Sequence, residues 1–231
     1  MKRAVVLWTG GKDCNLALYE AELLGYDIVA LISFGKKEGK FLSHPIELIK
    51  LQSEVLKIQH ETIVVSFPYE KGYEKALLYV KNKYHINTIV TGDIAEVQGN
   101  SNWIKKRCMS LNLDVLLPLW HLDRTAILNR LFQLNFEIIL TCVKAPWFDS
   151  SWLGKQLNSE TILEFHKINK KYRLDFCGEN GEYHSMVLDG PNYTKKIRLH
   201  NTIASQQNEM MYLDVNNLKL YFENSEGTAP V

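Results

Sequence analysis

The chain has 231 residues, a formal net charge of +1 and 46% hydrophobic residues. These values exclude a disordered chain, which would be poor in apolar residues and strongly charged, and they indicate one large or two small globular domains. The near balance of 27 basic and 26 acidic residues argues against nucleic acid as a partner, because extensive nucleic-acid binding relies on an excess of Lys and Arg to neutralise phosphates.

The sequence carries no pattern of an exported, membrane-spanning or zinc-ribbon protein. Its 4 cysteines form no CxxC pair, so they predict neither a zinc ribbon nor a disulfide scaffold. The apolar run after the first three residues is too short for a signal peptide. No stretch reaches the ~18 uncharged apolar residues of a membrane span. We therefore expect a cytoplasmic protein with no membrane partner.

The first half of the chain alternates predicted strands and helices. Short continuous apolar runs are typical of strands buried on both faces, and the segments after them carry apolar residues at helical spacing. Strands are predicted at residues 4–8, 28–34, 62–67, 88–91 and 114–117, and helices at 15–24, 46–58, 70–84 and 101–111. This alternation predicts a doubly wound parallel sheet, in which ligands bind beyond the carboxyl ends of the strands.

The second half of the chain is less regular. Helices are predicted at 123–134 and 159–172, and strands at 136–143, 185–189, 195–200 and 210–221. The change in pattern predicts a parallel α/β domain over residues 1–120 and a smaller α+β domain over residues 121–231. The aromatic stretch at 147–152 is interpreted as packing between these domains, with an acceptor pocket or base stacking as alternatives.

A glycine loop joins the first predicted strand to the first predicted helix. It reads TGGKDC over residues 9–14, and its adjacent glycines allow backbone N–H groups to turn inward around an anion. The positive end of the following helix, the hydroxyl of Thr9 and the charge of Lys12 act at the same point. The spacing is that of neither the Walker A nor the dinucleotide motif. The loop predicts a phosphate or pyrophosphate site, with a plain strand-to-helix turn as the alternative.

The loop is similar to the SGGKDS signature of the PP-loop ATP pyrophosphatases, with Thr9 and Cys14 in place of its serines. Two further strings, CGENGEYH at 177–184 and LDGP at 188–191, resemble the diphthine–ammonia ligase family. Shorter matches to the same family are GDI at 92–94 and PLW at 118–120. The resemblance runs over most of residues 4–200, and it implies the PP-loop type of doubly wound fold.

The resemblance implies an ATP-dependent ligase that converts a carboxylate into a carboxamide. In that family ATP adenylates the carboxylate with release of pyrophosphate, and ammonia then displaces AMP. ATP and Mg²⁺ are the implied cofactors. Ammonia and a carboxylate acceptor are the implied partners, the family's acceptor being diphthine on an elongation factor. A homodimer is compatible with the sequence, which carries no signal for the oligomeric state.

The resemblance also implies which residues bind the nucleotide. They are Thr9, Gly10, Gly11, Lys12, Asp13, Cys14, Ser33, Gly92 and Asp93. Asp93 is in addition the expected Mg²⁺ ligand, with a turn-capping role as the alternative. His44 follows the second predicted strand by a loop and is a further candidate to border the nucleotide.

The expected catalytic residues are Lys12, Glu179, Glu182 and His184. Lys12 would stabilise the leaving pyrophosphate. The other three residues would bind a cationic substrate, orient ammonia or accept its proton, with an exposed glycine-rich turn as the alternative. Together with Tyr183 they would form an acidic and aromatic pocket that suits the trimethylammonium group of diphthine.

Two other functions stay open from the sequence. One is an RNA-modifying adenylating PP-loop enzyme, for which basic clusters at 105–107, 170–173 and 195–198 would form a docking surface. The other is a module that binds adenine nucleotides without catalysis. Strongly salt-dependent RNA binding would identify the first, and nucleotide binding without pyrophosphate release would identify the second.

Overall fold

The computed structural model describes residues 2–35, 42–96, 102–200, 203–214 and 219–223. The chain divides into two compact units. The first unit comprises Met1–Thr9, Asp13–Lys40 and Ile58–Leu122, and the second comprises Gly10–Lys12, Phe41–Lys57 and Asp123–Val231. The second unit thus takes in two N-terminal segments that the sequence pattern assigns to the first domain. The domain boundary near residue 120 stays a prediction.

The first unit is built on a parallel sheet of five strands in the order β3-β2-β1-β4-β5. The strands are β1 (Lys2–Leu7), β2 (Tyr26–Gly35), β3 (His60–Val64), β4 (Thr88–Val90) and β5 (Asp114–Leu116). The helices that alternate with them along the chain are α1 (Lys12–Leu23), α2 (Ile46–Leu56), α3 (Tyr69–Tyr84) and α4 (Trp103–Met109). The strand order reverses between β1 and β4, which creates the switch point at which such sheets bind ligands. The predicted doubly wound parallel sheet is confirmed.

The core of this unit explains the continuous apolar runs of the strands. Val5 of β1 and Ile32 of β2 pack with Leu77 of α3 and Cys108 of α4 in one buried cluster. Val6, whose side chain points to the opposite face because strand residues alternate, is also fully buried. Both faces of the central strands are therefore covered, as their uninterrupted hydrophobicity predicts.

The second unit combines helices with antiparallel strands. In chain order these are α5 (Arg124–Gln133), β6 (Glu137–Lys144), α6 (Ser159–Asn169), β7 (Tyr183–Asp189), β8 (Lys196–His200), β9 (Ile203–Gln207), β10 (Met210–Asp214) and β11 (Lys219–Glu223). Four strands form a sheet in the order β7-β6-β10-β9, and β8 pairs with β11 in a separate two-stranded sheet. Helix α2 also belongs to this unit and contacts β7 and β8. The predicted α+β class is confirmed.

Two strand predictions near the C-terminal end are wrong in detail. The run at 210–221 holds two strands, β10 and β11, which lie in different sheets. Strand β9 has no counterpart in the prediction, because its sequence IASQQ is mostly polar. Among the described strands it pairs with β10 alone, and a polar, exposed edge strand gives no apolar run to detect.

The aromatic stretch at 147–152 packs inside the second unit rather than between domains. Phe148 and Trp152 are buried, and both rings lie against Phe165 of α6, at centroid distances of 5.3 and 5.6 Å. The indole N–H of Trp147 donates to the Arg173 carbonyl at 2.7 Å. The interpretation as packing between domains is therefore wrong for these rings. Among the described residues, no helix is long and apolar enough to cross a membrane.

Candidate active site

The glycine loop leads from β1 into α1, and its segment Gly10–Lys12 packs in the second unit. Gly10 has a φ of 80°, and a Cβ on it would lie 2.5 Å from Gln52 Oε1 and from the Met186 side chain. Its carbonyl accepts hydrogen bonds from Gln52 Nε2 at 2.8 Å and from the Val187 N–H at 3.1 Å. Glycine is therefore required at this position, and the loop is fastened to α2 and β7.

Lys12 is the first residue of α1, and its side chain is only 2% exposed. Its Nζ donates to the Cys177 carbonyl at 2.5 Å and lies 5.6 Å from the ring centroid of Tyr183. Its backbone N–H donates to Ser185 Oγ at 3.3 Å. Such partners are needed because burying an unpaired charge is costly. The fold thus keeps a positive charge beside the glycine loop, where a phosphate site needs one.

The CGENGEYH string forms a turn that the carboxylate of Glu182 organises. Glu182 is 1% exposed, and it accepts the backbone N–H of Asp175 at 2.9 Å and that of Asn180 at 3.0 Å. The side-chain amide of Asn180 donates to it as well, at 3.2 Å. Asp175 in turn accepts the backbone N–H of Cys177 at 2.8 Å. The buried carboxylate therefore fixes the turn that presents the Cys177 carbonyl to Lys12.

Two other members of this string differ sharply in exposure. Tyr183 is buried, and its hydroxyl donates to the Phe176 carbonyl at 2.6 Å. Because the Lys12 ammonium already lies over this ring, Tyr183 offers no open aromatic face to a substrate cation, contrary to the expectation from the sequence. Glu179, by contrast, is exposed on the same turn.

Two histidines meet in the second unit near the end of the Lys12 side chain. The rings of His44 and His184 are packed edge to face, with their centroids 5.0 Å apart. Burial, followed by the positive fields of His184 and Lys12, lowers the pKa of His44 to about 3. Burial and then Lys12 also lower the pKa of His184. Both imidazoles are therefore neutral at neutral pH.

In the first unit, the loop after β4 packs against the first turn of α1. A Cβ on Gly92 would lie 2.5 Å from the carbonyl carbon of Asp13 and 2.7 Å from the nitrogen of Cys14. Backbone thus touches backbone at this point, and no side chain fits between them. Thr9 Oγ1 and Cys14 Sγ are 3.7 Å apart. Cys14 is buried, which fits a small packed residue within reach of the Thr9 hydroxyl.

Asp93 is held in place by its neighbours after β4. Its Oδ2 accepts from Asn102 Nδ2 at 2.5 Å, and its N–H donates to Thr91 Oγ1 at 3.1 Å. One such oriented carboxylate fits Mg²⁺, which proteins usually bind with one or two carboxylates plus water and substrate phosphates. Among the described residues, no group of three or more His, Cys, Asp or Glu side chains could hold a metal on its own.

The Ser33 side chain is used in contacts with its neighbours rather than exposed to a ligand. It is buried, its hydroxyl donates to the Trp8 carbonyl at 2.6 Å, and the same oxygen is 2.8 Å from His60 Nε2. Trp8 directly precedes the glycine loop. Ser33 therefore steadies the residue from which the loop departs, which is the role we propose for it instead of direct nucleotide contact.

Three residues of the site escaped the sequence reasoning: Gln52, Asp175 and Ser185. Gln52 had a detectable signal, because it lies on the apolar face of α2 with Leu48 and Val55 and is fully buried. A polar residue on such a face needs a partner. Asp175 and Ser185 had no local signal, since they act through groups that the fold brings to them.

The basic clusters that a nucleic-acid-binding function would use are partly neutralised. Arg107 lies 3.5 Å from a carboxylate oxygen of Glu70 and 3.2 Å from one of Glu74. Lys196 and Arg198 both form ion pairs with Glu137. Charges committed in this way are less available for phosphate groups in two of the three clusters.

Comparison with known proteins identifies the relatives of this chain. Family models of the diphthamide synthase N-terminal and C-terminal domains match residues 1–115 and 123–220. A diphthine–ammonia ligase of Schizosaccharomyces pombe is 28% identical and aligns with 90% of this chain but 38% of its own length. The diphthine–ammonia ligase of Homo sapiens is 28% identical, and the alignment covers 84% of this chain and 82% of the human protein. That of Danio rerio is 25% identical, and the alignment covers 84% of this chain and 85% of the fish protein.

A solved structure also matches. Its title describes a predicted subunit of tRNA methyltransferase from Methanocaldococcus jannaschii. It covers 82% of this chain and 98% of its own, with 16% identity and a TM-score of 0.49.

Proposed function

Since the chain belongs to the diphthamide synthase family, we propose that it is an ATP-dependent ligase that forms an amide from a carboxylate and ammonia. The observation that carries the proposal is the buried ammonium of Lys12, held beside a glycine loop at the start of α1. A fixed positive charge at a helix N-terminus suits the phosphates of ATP. The relatives named above are diphthine–ammonia ligases, and their reaction is of this class.

In the first step, a carboxylate oxygen of the acceptor attacks the α-phosphorus of ATP. The bond from that phosphorus to the bridging oxygen breaks, and pyrophosphate leaves with the electron pair. Lys12 and the backbone N–H groups of residues 9–14 stabilise the charge that develops on the leaving group. Asp93 would hold Mg²⁺, which would neutralise part of the phosphate charge.

In the second step, the nitrogen of ammonia attacks the acyl carbon, the carbon–oxygen bond to AMP breaks, and a proton must be removed from the nitrogen. We assign this proton to His184, because its imidazole is neutral and half-buried in the second unit. Glu182 is a positioning residue, since its carboxylate already accepts three hydrogen bonds. Glu179 is exposed on the same turn and keeps its role as a candidate for the acceptor site.

We propose diphthine on an elongation factor as the acceptor and the cytoplasm as the compartment. The name of the relatives supports the acceptor. A homodimer stays a prediction.

The function is tested by incubating the protein with ATP, ammonium chloride and an elongation factor that carries diphthine. We expect AMP, pyrophosphate and amide in equal amounts, all dependent on ammonium. ADP as the product would contradict adenylation. Nucleotide binding without release of pyrophosphate would contradict catalysis. AMP formation that requires added RNA and is not accompanied by amide would favour the RNA-modifying alternative.

Lys12→Ala tests the phosphate site within the same assay. Loss of the buried ammonium should lower kcat by about 100-fold to 1,000-fold, the usual effect of removing one donor that stabilises a developing charge. Lys155→Ala is the matched control, because Lys155 lies in the second unit, is half-exposed and pairs with Glu164 at 2.7 Å. Full activity of Lys12→Ala would overturn the assignment of this residue.

A further inference from the structure

The carboxylate of Asp93, the expected Mg²⁺ ligand of the first unit, is oriented from two sides. On one side, its N–H donates to Thr91 Oγ1 at 3.1 Å, and the N–H of the buried Thr91 donates to the Leu116 carbonyl of β5 at 3.1 Å. On the other side, Asp93 Oδ2 accepts from Asn102 Nδ2 at 2.5 Å. Asn102 directly precedes α4. The residue is therefore fastened to the sheet and to a helix.

The side-chain amide of Asn102 can face Asp93 in only one orientation. Its Oδ1 accepts the backbone N–H of Lys105 at 2.8 Å and so caps the first turn of α4. This bond leaves the Nδ2 hydrogens for the Asp93 carboxylate, which only accepts hydrogen bonds when it is ionised. Both ends of one amide are therefore used, one in the helix and one on the carboxylate.

Helix α4 is itself anchored in the first unit. Cys108 is fully buried in the core cluster, and the Arg107 guanidinium lies 3.2 Å from a carboxylate oxygen of Glu74 on α3. At the first residue of the helix, the ring of Trp103 packs edge to face against Tyr73, with centroids 4.7 Å apart. A helix anchored in this way gives its N-cap residue a fixed place from which to hold the carboxylate.

The two oxygens of the Asp93 carboxylate are not equivalent. Oδ2 is engaged by Asn102, whereas Oδ1 has no hydrogen-bond partner among the residues that the structure describes. Mg²⁺ demands near-ideal octahedral geometry and keeps several of its waters, which suits a carboxylate that offers one oxygen. Ca²⁺ is larger and more flexible in its geometry, and it also accepts both oxygens of one carboxylate. A carboxylate with one oxygen engaged therefore favours the smaller ion.

We propose that Asn102 is a positioning residue that presents Oδ1 of Asp93 to the metal ion and thereby favours Mg²⁺ over Ca²⁺. The proposal rests on the proposed function, because Asp93 holds the ion that accompanies ATP there. Without the amide, the carboxylate could rotate and offer both of its oxygens. Mg²⁺ binding should then weaken, because residues that orient a metal ligand contribute strongly to metal affinity, and the preference over Ca²⁺ should narrow.

Asn102→Ser separates the two tasks of the amide. Serine caps a helix about as well as asparagine does, but its side chain is shorter and has no second arm for Asp93. The probe is an ATP analogue with a methylene group between the α- and β-phosphates, which cannot be cleaved at that position. Calorimetry on the full chain measures its affinity with Mg²⁺, with Ca²⁺ and with EDTA.

We expect Asn102→Ser to lower the gain in affinity that Mg²⁺ gives over EDTA by about tenfold. The gain that Ca²⁺ gives should fall by less, and the affinity in EDTA should stay unchanged. Asn102→Asp also keeps the cap but adds a second carboxylate beside Asp93, so it should shift the preference further toward Ca²⁺.

Asn158→Ser is the matched control for the loss of a capping asparagine. Asn158 is the N-cap of α6 in the second unit, where its side chain accepts the N–H groups of Glu160 and Thr161. This substitution should leave all three affinities unchanged. Urea unfolding of both serine variants measures whether each helix keeps its cap, and we expect similar midpoints.

An equal loss of affinity with and without a metal ion would give Asn102 a merely structural role and overturn the proposal. An unchanged ratio between the Mg²⁺ and Ca²⁺ gains would also overturn it. The binding assay needs neither acceptor nor ammonia. Failure of the ligase assay together with the expected change in Asn102→Ser would therefore contradict the proposed function alone, and active ligase with an unchanged ratio would contradict the role of Asn102 alone.

Discussion

The two units hold their candidate functional residues in position by different physical means. In the first unit, the loop after β4 approaches α1 so closely that backbone meets backbone at Gly92 and Asp13. In the second unit, buried charges do the positioning, with Glu182 fixing the turn and Lys12 docked on the Cys177 carbonyl. The first arrangement should be sensitive to added volume, and the second to lost charge and to pH.

The largest effect is expected from added volume in the first unit. Gly92→Ala places a methyl group 2.5 Å from the Asp13 carbonyl carbon, and neither backbone segment can yield without moving the sheet or α1. We expect a loss of about 3 kcal/mol in the free energy of unfolding, at the upper end of overpacking effects. Urea unfolding at neutral pH measures it.

Gly25→Ala is the control for that substitution. Gly25 has a φ of 80° but nothing within 4 Å of a built Cβ, so the alanine costs only backbone strain, about 1 kcal/mol. If Gly92→Ala were as stable as Gly25→Ala, the close approach would not hold the loop.

The next largest effect is expected from the loss of a buried charge in the second unit. Glu182→Gln keeps the size of the side chain but turns an amide NH₂ toward one of the N–H donors that the carboxylate accepts. We expect unfolding to become easier by about 2 kcal/mol. Activity should fall with it, because the carbonyl that holds Lys12 moves.

Glu179→Gln is the matched control on the same turn. Glu179 is exposed, so its neutral isostere should leave the free energy of unfolding within about 0.5 kcal/mol. Equal destabilisation by both substitutions would contradict the distinction between a buried organising carboxylate and an exposed one.

The same contrast explains how much of the fold was predictable. The central strands of the first unit, β1, β2 and β4, are short apolar runs with buried residues on both faces, so hydrophobicity alone located them. The edge strands β3 and β5 are more exposed and were located by the alternation with helices. The second unit has a polar edge strand, β9, whose exposed residues give no such signal. Its partner β10 and the separate β11 merge into one apolar run in the sequence, because nothing local tells which sheet each joins.

The residues of the candidate site were also predictable only in part. The glycine loop was predictable because its chemistry is contiguous, from Thr9 to Cys14. The support around it comes from far along the chain: Gln52 binds the Gly10 carbonyl, and Ser185 accepts the Lys12 N–H. Such contacts follow from the packing of α2 and β7.

The remaining prediction concerns pH and sharpens the electrostatic side of the comparison. Burial, His184 and Lys12 lower the pKa of His44 to about 3, against 6.5 in the unfolded chain. As the pH falls below 6.5, the unfolded chain takes up a proton at this residue and the folded protein does not. Stability that is present above pH 6.5 is therefore lost toward pH 3, by at most about 1.4 kcal/mol per pH unit.

His44→Gln removes this proton uptake, so its free energy of unfolding should fall less steeply with acid than that of the unchanged protein. Urea unfolding at pH 7, 6 and 5 measures the two slopes. His166→Gln, on the exposed side of α6, is the control for replacing a histidine of the same unit. Parallel curves for His44→Gln and the unchanged protein would show that the histidine pair does not couple the second unit to pH. A shallower curve for His44→Gln would assign the pH sensitivity to the second unit, in which charge rather than volume holds the residues in position.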